Sequence, residues 1–313
     1  MRVVFMGTPE FAVRSLQEIV ENSDHEVVGV VTVPDRPAGR GQKMVESAVK
    51  VYAHSKSLPI LQPDKLRDPD FQETLRSWNA DVFVVVAFRM LPESVWKIPK
   101  KGTFNLHGSL LPQYRGAAPI NWAVINGEDQ TGVTTFLIDE EIDTGNILLQ
   151  RSMPIGPDEN AGDVHDRMMS LGARLVVETL DGLEKGSLQP HPQNESKSFR
   201  PAPKIFKEDT YLDLRRTGKD LYNKVRGLSP YPGSILRLYV DGEKVDLKIW
   251  KVEFKEDLEL PLGQSQIKDG TWSIGLETGG LELLEIQWPG KKRMTVDAFL
   301  RGFRYKTPPK WEA

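Results

Sequence analysis

An apolar and almost continuously β-branched run, DVFVVVAF, occupies residues 81–88. Such a run is typical of a strand that is covered on both faces, as strands are in a parallel sheet. Strand and helix signals alternate along the chain from residue 2 to about residue 185. The first part of the chain is therefore predicted to form an α/β domain around a parallel sheet.

The start of the first helix carries two boundary signals. We predict that Thr8 caps this helix and that Pro9 occupies its first turn. The other predicted helices span residues 45–57, 70–79, 119–126 and 162–185. The predicted strands are RVVFM, EVVGVVTV, DVFVVVAF, TFNLH, GVTTFLI and NILLQRSMPI.

This pattern stops at residues 189–207, QPHPQNESKSFRPAPKIFK, which contain four prolines. Proline-rich segments stay extended, so we predict a linker here. A helix over 217–227 and short strands with Asp-Gly and Gly-Gly turns follow, which indicates a small barrel of the oligonucleotide-binding (OB) type. The predicted domains are residues 1–188, a linker over 189–207, and residues 208–313.

Several classes of protein are disfavoured by what the sequence lacks. The chain has no cysteine, which excludes disulfides, thiolate metal sites and thiol nucleophiles. GTPEFA after the first strand is not G-x-G-x-x-G, and no G-x-x-x-x-G-K-[ST] occurs, which argues against nicotinamide enzymes and P-loop NTPases. The five histidines lack the spacing of a zinc site, so we expect no metal.

We expect no targeting signal in this protein. The amino-terminal apolar run is interrupted early by Gly-Thr-Pro, and the longest apolar run, residues 82–88, is far shorter than a membrane span. We expect a cytoplasmic protein without a membrane partner.

Polar residues end one of the predicted strands, in the stretch FNLHGSLLPQYRGAAP. Asn105 and His107 are two residues apart, so both side chains lie on the same side of the strand. Open α/β sheets place ligands just beyond such strand ends, where an amide and an imidazole could converge on one oxygen atom. The alternative is that His107 is a half-buried structural histidine and that Asn105 is a turn former.

A second polar element is DEEIDTGNI, residues 139–147. Acidic loop clusters are usually only solvated, but Asp143 precedes Thr-Gly and a strand, so a tight turn could hold its carboxylate. Beside a histidine, a carboxylate steadies the imidazole. The trio suits acyl transfer to an amine: Asn105 and His107 would stabilise the oxyanion, and Asp143 with His107 would handle the amine proton.

Basic residues are the candidates for contacts with a polyanion, because the net charge of −3 provides no general attraction. The segment KSFRPAPKIFK carries four basic residues and no acidic one. It is either a solvated linker or a basic strip, and the same two readings apply to the other basic clusters. The candidate phosphate contacts are Arg36, Arg40, Lys43, Lys204, Lys291, Lys292 and Arg293.

The stretch FNLHGSLLPQYRGAAPINWAVINGE, followed by DTG, resembles the signature of the 10-formyltetrahydrofolate-dependent formyltransferase family. The Asn, His and Asp of that signature fall on Asn105, His107 and Asp143. GTPEFAV, the DRPAGRGQK loop, the APKI linker and the RGFRYK ending extend the resemblance to members that formylate methionyl initiator tRNA.

The resemblance implies a Rossmann-like, mostly parallel catalytic domain and a small carboxyl-terminal OB-like β-barrel that together hold the tRNA. It also implies 10-formyltetrahydrofolate as co-substrate and tetrahydrofolate as product. Arg40 would lie near the acceptor end of the tRNA, and Phe88 would line the pterin pocket within residues 86–91. Where many relatives have an aromatic-glycine pair, this chain has Phe88 and Arg89. The remaining folate residues implied by the resemblance are Ser109, Leu110, Leu111 and Pro112.

The expected activity is therefore transfer of the formyl group to the α-amino group of methionyl initiator tRNA by a monomeric enzyme. Rival activities within the family are formyl transfer to glycinamide ribonucleotide or an amino sugar, and hydrolysis. A formyltransferase that acts on glycinamide ribonucleotide would not need the hundred or so residues at the carboxyl end of this chain, which argues against that activity. A non-catalytic tRNA-binding module is a rival of another class, and the intact Asn-His-Asp trio argues against it.

Overall fold

The computed structural model describes residues 1–38, 43–194 and 199–311. Their contacts divide the chain into two compact units, neither of which is continuous in sequence. The first unit comprises residues 1–116, 131–154 and 165–202, and the second comprises the remaining segments. The predicted division into residues 1–188, a linker over 189–207 and residues 208–313 stays a prediction.

The first unit is built on a seven-stranded sheet with the order β5-β2-β1-β6-β7-β8-β9. A separate two-stranded ribbon joins β3 to β4. The first nine strands of the chain are β1 (Arg2–Gly7), β2 (Glu26–Val31), β3 (Arg36–Ala38), β4 (Lys43–Val45), β5 (Ile60–Leu61), β6 (Val82–Val86), β7 (Thr103–His107), β8 (Gln130–Leu137) and β9 (Ile147–Pro154). The helices up to residue 185 are α1 (Glu10–Asn22), α2 (Ala48–Ser55), α3 (Pro69–Ser77), α4 (Glu93–Trp96), α5 (Pro119–Ile125) and α6 (Ala161–Lys185).

The predicted mostly parallel sheet is confirmed. Strand β6, from the run DVFVVVAF, is buried along its whole length and pairs in parallel with β1 and β7. Its β-branched side chains therefore pack on both faces of the sheet. The missed elements in this part, β3, β4, β5 and α4, are at most four residues long, which is too short for a periodic signal.

The predicted cap of the first helix is wrong. The residue preceding α1 is Pro9, which has extended backbone angles and makes no side-chain capping hydrogen bond. Thr8 lies one residue too far from the helix, because the helix starts at Glu10 and not at Pro9. The acidic Glu10 in the first turn complements the positive end of the helix dipole instead.

The carboxyl-terminal edge of the sheet is where the candidate site forms. Strand order reverses at β1, with β2 and β5 on one side and β6 and β7 on the other. Strand β8 then pairs antiparallel with β7, so that His107 lies opposite Thr134 and Asn105 opposite Phe136. The end of β6 and the end of β7 are thus neighbours, and both lead into candidate ligand loops.

The second unit contains an antiparallel sheet with the order β12-β13-β14-β11-β10-β16. Its core includes the fully buried Trp272, whose ring stacks on Phe299 and Phe303. The two outer strands approach each other through a bridge between Gln264 and Lys310, which nearly closes the sheet into a barrel. The predicted OB-like barrel is confirmed. Its elements are α7 (Gly218–Gly227), β10 (Ser234–Val240), β11 (Glu243–Lys255), β12 (Ser265–Lys268), β13 (Thr271–Gly275), β14 (Gly280–Gln287), β15 (Met294–Thr295), α8 (Val296–Leu300) and β16 (Lys310–Trp311).

Candidate active site

His107 is the last residue of β7, and its imidazole is almost completely buried. Its Nε2 atom lies 2.8 Å from the backbone oxygen of Tyr114. A carbonyl oxygen can only accept, so Nε2 carries the hydrogen. In the neutral imidazole the lone pair is therefore on Nδ1, the atom that faces Asp143.

Asp143 lies in the loop between β8 and β9, in a left-handed backbone conformation with φ 57°. Its Oδ2 accepts a hydrogen bond of 2.9 Å from the backbone N–H of Gly116. The same oxygen is 3.8 Å from Nδ1 of His107, and the two side chains are 15% and 8% exposed. The structure therefore brings together the histidine and the carboxylate that the sequence predicted as a pair.

Asn105 precedes His107 by two residues on β7 and is half-buried. Within the part of the chain that the structure describes, its side-chain amide makes no hydrogen bond. A half-buried amide with free donors at the carboxyl edge of the sheet can accommodate an oxygen atom of a ligand.

The loop after β7 is held by the hydroxyl group of Thr134. This hydroxyl donates to the backbone oxygen of Ser109 at 2.6 Å and accepts from the backbone N–H of Leu111 at 3.1 Å. It also accepts from Nε2 of Gln150 at 2.9 Å, so its one donor and two acceptor positions are all used. Leu111 is buried and precedes a cis peptide bond to Pro112, whereas Leu110 is half-buried.

Phe88 lies just beyond β6, and its half-buried ring packs against the core of the first unit. The guanidinium of Arg89 lies 5.4 Å from the centre of that ring and donates to the backbone oxygens of Pro63 and Asp64. Burial lowers the pKa of Arg89, and the positive charge of Arg36 lowers this pKa further. This segment therefore places a partly buried positive charge beside the ring of Phe88.

The described basic candidates lie in both units. Arg36 is exposed in β3, and Lys43 begins β4, whereas Arg40 lies outside the described residues. In the second unit Lys204, Lys291 and Lys292 are exposed. Arg293 is also exposed, but it forms an ion pair with Glu285 and lies 5.0 Å from the centre of the Trp250 ring.

Three partners in this site were not identified from the sequence. Tyr114 and Gly116 belong to the motif that contains His107, but their backbone contacts have no signature in side-chain chemistry. Gly116 has φ 124°, and a Cβ atom there would lie 2.5 Å from the backbone oxygen of Ala202, which is why glycine occupies the position. Gln193 also contacts the Asp143 loop, and nothing in its proline-rich surroundings signals this.

Other kinds of site find no support in the described residues. No group of three or more histidine, aspartate or glutamate residues among them could hold a metal ion. No helix is both long enough and apolar enough to cross a membrane in the part of the chain that the structure describes.

Two family models match the chain over most of its length. A model described as formyl transferase matches residues 1–180. The chain belongs to the formyl transferase family. A second model, described as the carboxyl-terminal domain of formyl transferase, matches residues 204–304. The family resemblance carried by the Asn-His-Asp motif is thus confirmed, and the second match extends it to the barrel.

Named relatives of this formyl transferase cover nearly its full length. A protein of Bacteroides fragilis named methionyl-tRNA formyltransferase is 50% identical over 309 residues, which are 97% of this chain and 95% of that protein. A protein of the same name from Flavobacterium johnsoniae is 46% identical over 99% of this chain and 98% of its own length.

A solved structure shares the fold at lower sequence identity. An N-formyltransferase from Helicobacter canadensis, in complex with folinic acid and dTDP-3-aminofucose, is 19% identical with a TM-score of 0.65. The match covers 91% of this chain and 99% of that one. The similarity shows that this formyl transferase shares its fold with that protein.

Proposed function

We propose that this chain transfers the formyl group of 10-formyltetrahydrofolate to the α-amino group of methionyl initiator tRNA, giving N-formylmethionyl-tRNA for translation initiation. The observation that carries the proposal is the arrangement of His107 between the Tyr114 carbonyl and the Asp143 carboxylate. Relatives of 46–50% identity that bear the name methionyl-tRNA formyltransferase support this acceptor, because the similarity includes the barrel as well as the sheet domain.

The reaction forms one bond and breaks another at the formyl carbon. The amine nitrogen bonds to this carbon, the bond from the carbon to N10 of the folate breaks, and one proton passes from the amine to N10. Nδ1 of His107 accepts the amine proton, because Nε2 is occupied by the Tyr114 oxygen. The Asp143 carboxylate, 3.8 Å away, stabilises the resulting imidazolium, which then protonates N10.

Asn105 contributes a neutral hydrogen-bond donor to the same step. When the amine attacks, negative charge develops on the formyl oxygen, and a donor already in place lowers the energy of this state. The free amide of Asn105 suits this role. The protonated Nδ1 of His107 becomes the second donor, so Asn105, His107 and Asp143 are the proposed catalytic residues.

The folate site in this proposal consists of Phe88 and residues 109–112. The fixed loop after β7 offers an apolar wall from Leu110, Leu111 and Pro112, and Ser109 anchors it through its hydroxyl on the Gln113 oxygen. The folinic acid bound by the Helicobacter canadensis protein of the same fold supports a folate donor. The product is tetrahydrofolate, and none of the steps assigned to these residues uses a metal.

The tRNA contacts are assigned to basic residues, because phosphate contacts position an RNA substrate. They are Arg36, Arg40, Lys43, Lys204, Lys291, Lys292 and Arg293. Residues 1–188 then serve as the catalytic domain, 189–207 as a linker and 208–313 as the tRNA-binding domain. The enzyme acts as a monomer in the cytoplasm, where translation provides the substrate.

A comparison of acceptors tests this function. Formyl transfer from 10-formyltetrahydrofolate is measured with methionyl initiator tRNA, glycinamide ribonucleotide and a nucleotide-linked amino sugar at equal concentrations. We expect the highest kcat/KM with methionyl initiator tRNA and none with the uncharged tRNA, which lacks the amine. Efficient transfer to either small amine, with none to the tRNA, would overturn the assignment.

A further inference from the structure

The chain that follows α6 is attached to both loops of the candidate site. His191 exchanges two backbone hydrogen bonds with Ile147, of 2.8 and 3.1 Å, at the end of the Asp143 loop. Further along, the N–H of Ala202 donates to the oxygen of Arg115 at 2.8 Å, in the loop that follows β7. We call residues 191–194 and 199–202 the strap.

One side chain of the strap reaches the backbone of the Asp143 loop. Nε2 of Gln193 donates to the backbone oxygen of Asp143 at 2.8 Å and to that of Gly145 at 3.0 Å. Gln193 is 8% exposed, and its bond to Gly145 is buried whereas its bond to Asp143 is partly buried. Hydrogen bonds to buried backbone carbonyls are costly to lose, because the carbonyls then remain unsatisfied.

The orientation of this amide is set by Arg115. Nε and Nη2 of Arg115 lie 3.1 and 2.7 Å from Oε1 of Gln193. A guanidinium group has only donors, so the oxygen of the amide must face Arg115 and its NH2 group must face the Asp143 loop. The ring of Phe199, 4.9 Å from the guanidinium carbon, packs against Arg115 from the same strap.

The Asp143 loop needs such support because of its backbone. Asp143 has φ 57°, a left-handed conformation that is unfavourable for residues other than glycine. Gly145 packs so tightly that a Cβ atom would lie 1.7 Å from the Leu137 oxygen. Gln193 contacts the loop at these two residues, and Asp143 directs its carboxylate from there to Gly116 and His107.

We propose that Gln193, oriented by Arg115, is a positioning residue that holds the backbone of Asp143 so that its carboxylate faces Nδ1 of His107. Gln193 itself does not touch the reacting atoms. The kinetic part of this inference rests on the proposed function, since it is measured as formyl transfer.

The first test is the effect of Gln193→Ala on turnover. Misplacing a catalytic group by about 1 Å can cost on the order of 100-fold in rate, so we expect kcat to fall roughly 10- to 100-fold. KM for both substrates should stay within about 2-fold, because no binding contact is removed. A fall in kcat/KM that comes from KM alone would contradict the positioning role.

Gln72→Ala is the matched control. Gln72 is also 8% exposed, and its Nε2 also supports a loop, through the oxygen of Leu66 at 3.2 Å and the hydroxyl of Ser94 at 2.9 Å. Both variants lose a buried glutamine that holds backbone, so both should lose stability. Only Gln193→Ala should lose turnover. An equal loss of turnover in Gln72→Ala would show that the loss comes from general destabilisation, and it would contradict the positioning role of Gln193.

The second test asks whether Gln193 acts through Asp143. Gln193→Ala is introduced into the Asp143→Asn variant. Single-turnover rates are then compared among the wild type, the two single variants and the double variant. If Gln193 serves only to place the Asp143 carboxylate, the second substitution should change the rate by less than about 2-fold. A further loss of 10-fold or more in the double variant would show that Gln193 acts by another route.

The third test does not depend on which amine is the substrate. Amide hydrogen exchange is measured in Gln193→Ala at Gly116, whose N–H donates to Asp143, and at Tyr114 and Ala202, whose N–H groups donate to Arg200 and Arg115. We expect faster exchange at Gly116 with unchanged protection at the other two. Unchanged exchange at Gly116 would overturn the inference, whereas failure of the wild type to formylate tRNA would overturn only the proposed function.

Discussion

His107 and Lys292 illustrate two ways in which the chain presents a polar residue. His107 is buried, one ring nitrogen is bound to the Tyr114 oxygen, and the other faces a carboxylate that is itself held by Gly116. Lys292 is exposed and has no hydrogen bond or ion pair within the described residues. The chemistry is thus assigned to groups whose geometry is fixed before the substrate arrives.

The difference follows from what each region must do. A proton transfer needs atoms placed to within a fraction of an ångström, which a buried network provides. A phosphate backbone is instead attracted by charge, and flexible exposed lysines can meet it in several arrangements. Substitutions in the two regions should therefore change different measured quantities.

The largest effect is expected for His107→Ala. Loss of the group that accepts the amine proton should lower kcat roughly 10²- to 10⁴-fold, with little change in tRNA affinity. His54→Ala is the control, because His54 is exposed on α2 and should retain full turnover. Turnover at the wild-type rate by a folded His107→Ala protein would contradict the catalytic role assigned to His107.

The double substitution Lys291→Ala with Lys292→Ala addresses the exposed side of the comparison. Each phosphate contact releases counterions, so losing two should flatten the plot of log affinity against log salt by about two units. The single-turnover rate at saturating tRNA should stay at the wild-type value. Titrations of labelled methionyl initiator tRNA at several salt concentrations measure the slope, and an unchanged slope would mean that these lysines do not contact the tRNA.

A smaller effect is expected from a glycine that packs inside the second unit. A Cβ atom at Gly227, in α7, would lie 2.5 Å from Cγ1 and 2.8 Å from the backbone N of Ile125 in α5. Gly227→Ala should therefore lower the free energy of unfolding by roughly 1–3 kcal/mol, as overpacking does. Gly302→Ala is the control in denaturant titrations, because the new Cβ has no described atom within 4 Å apart from those of its own residue and its chain neighbours. Equal stability of the two variants would contradict the packing of α5 on α7.

The smallest effect concerns the exposed, basic end of the chain. The carboxylate of Asp241 accepts hydrogen bonds from the backbone N–H groups of Thr307 and Lys306, and these bonds lower its pKa below the ordinary value of 3.8. A lowered pKa stabilises the folded state above about pH 3.8, and this stabilisation is lost as the pH falls through the folded-state pKa. The amide resonances of these two residues should titrate together below pH 3.8. A midpoint at 3.8 or above, or the same titration in Asp241→Ala, would exclude the bonds.

The sequence was sufficient for the longer strands of the main sheet, the barrel and the family, because each depends on a periodic or motif signal, whereas the short β3, β4 and β5 were missed. The β-branched residues of DVFVVVAF predict a strand buried in a parallel sheet, and β6 is such a strand. Asn105 and His107 lie on the same face of β7 because they are two residues apart. The hydrogen bonds from Gln193 to the Asp143 loop could not be predicted from the sequence. Gln193 is 50 residues from Asp143 in the chain, and it donates to backbone carbonyls, which every residue has. Thr8 failed as a cap because a capping residue must directly precede the first helical residue, and Pro9 stands between Thr8 and the helix start at Glu10.

In the proposed reaction, residues of the first unit join the formyl group directly to the amine of the charged tRNA. The most direct measurement is the stoichiometry of one reaction, in which N-formylmethionyl-tRNA, tetrahydrofolate and free formate are quantified over a single time course. For direct transfer we expect one tetrahydrofolate for each N-formylmethionyl-tRNA and no formate above the uncatalysed background. Tetrahydrofolate released together with equal free formate, and no formylated tRNA, would contradict it, because the site would then deliver the formyl group to water.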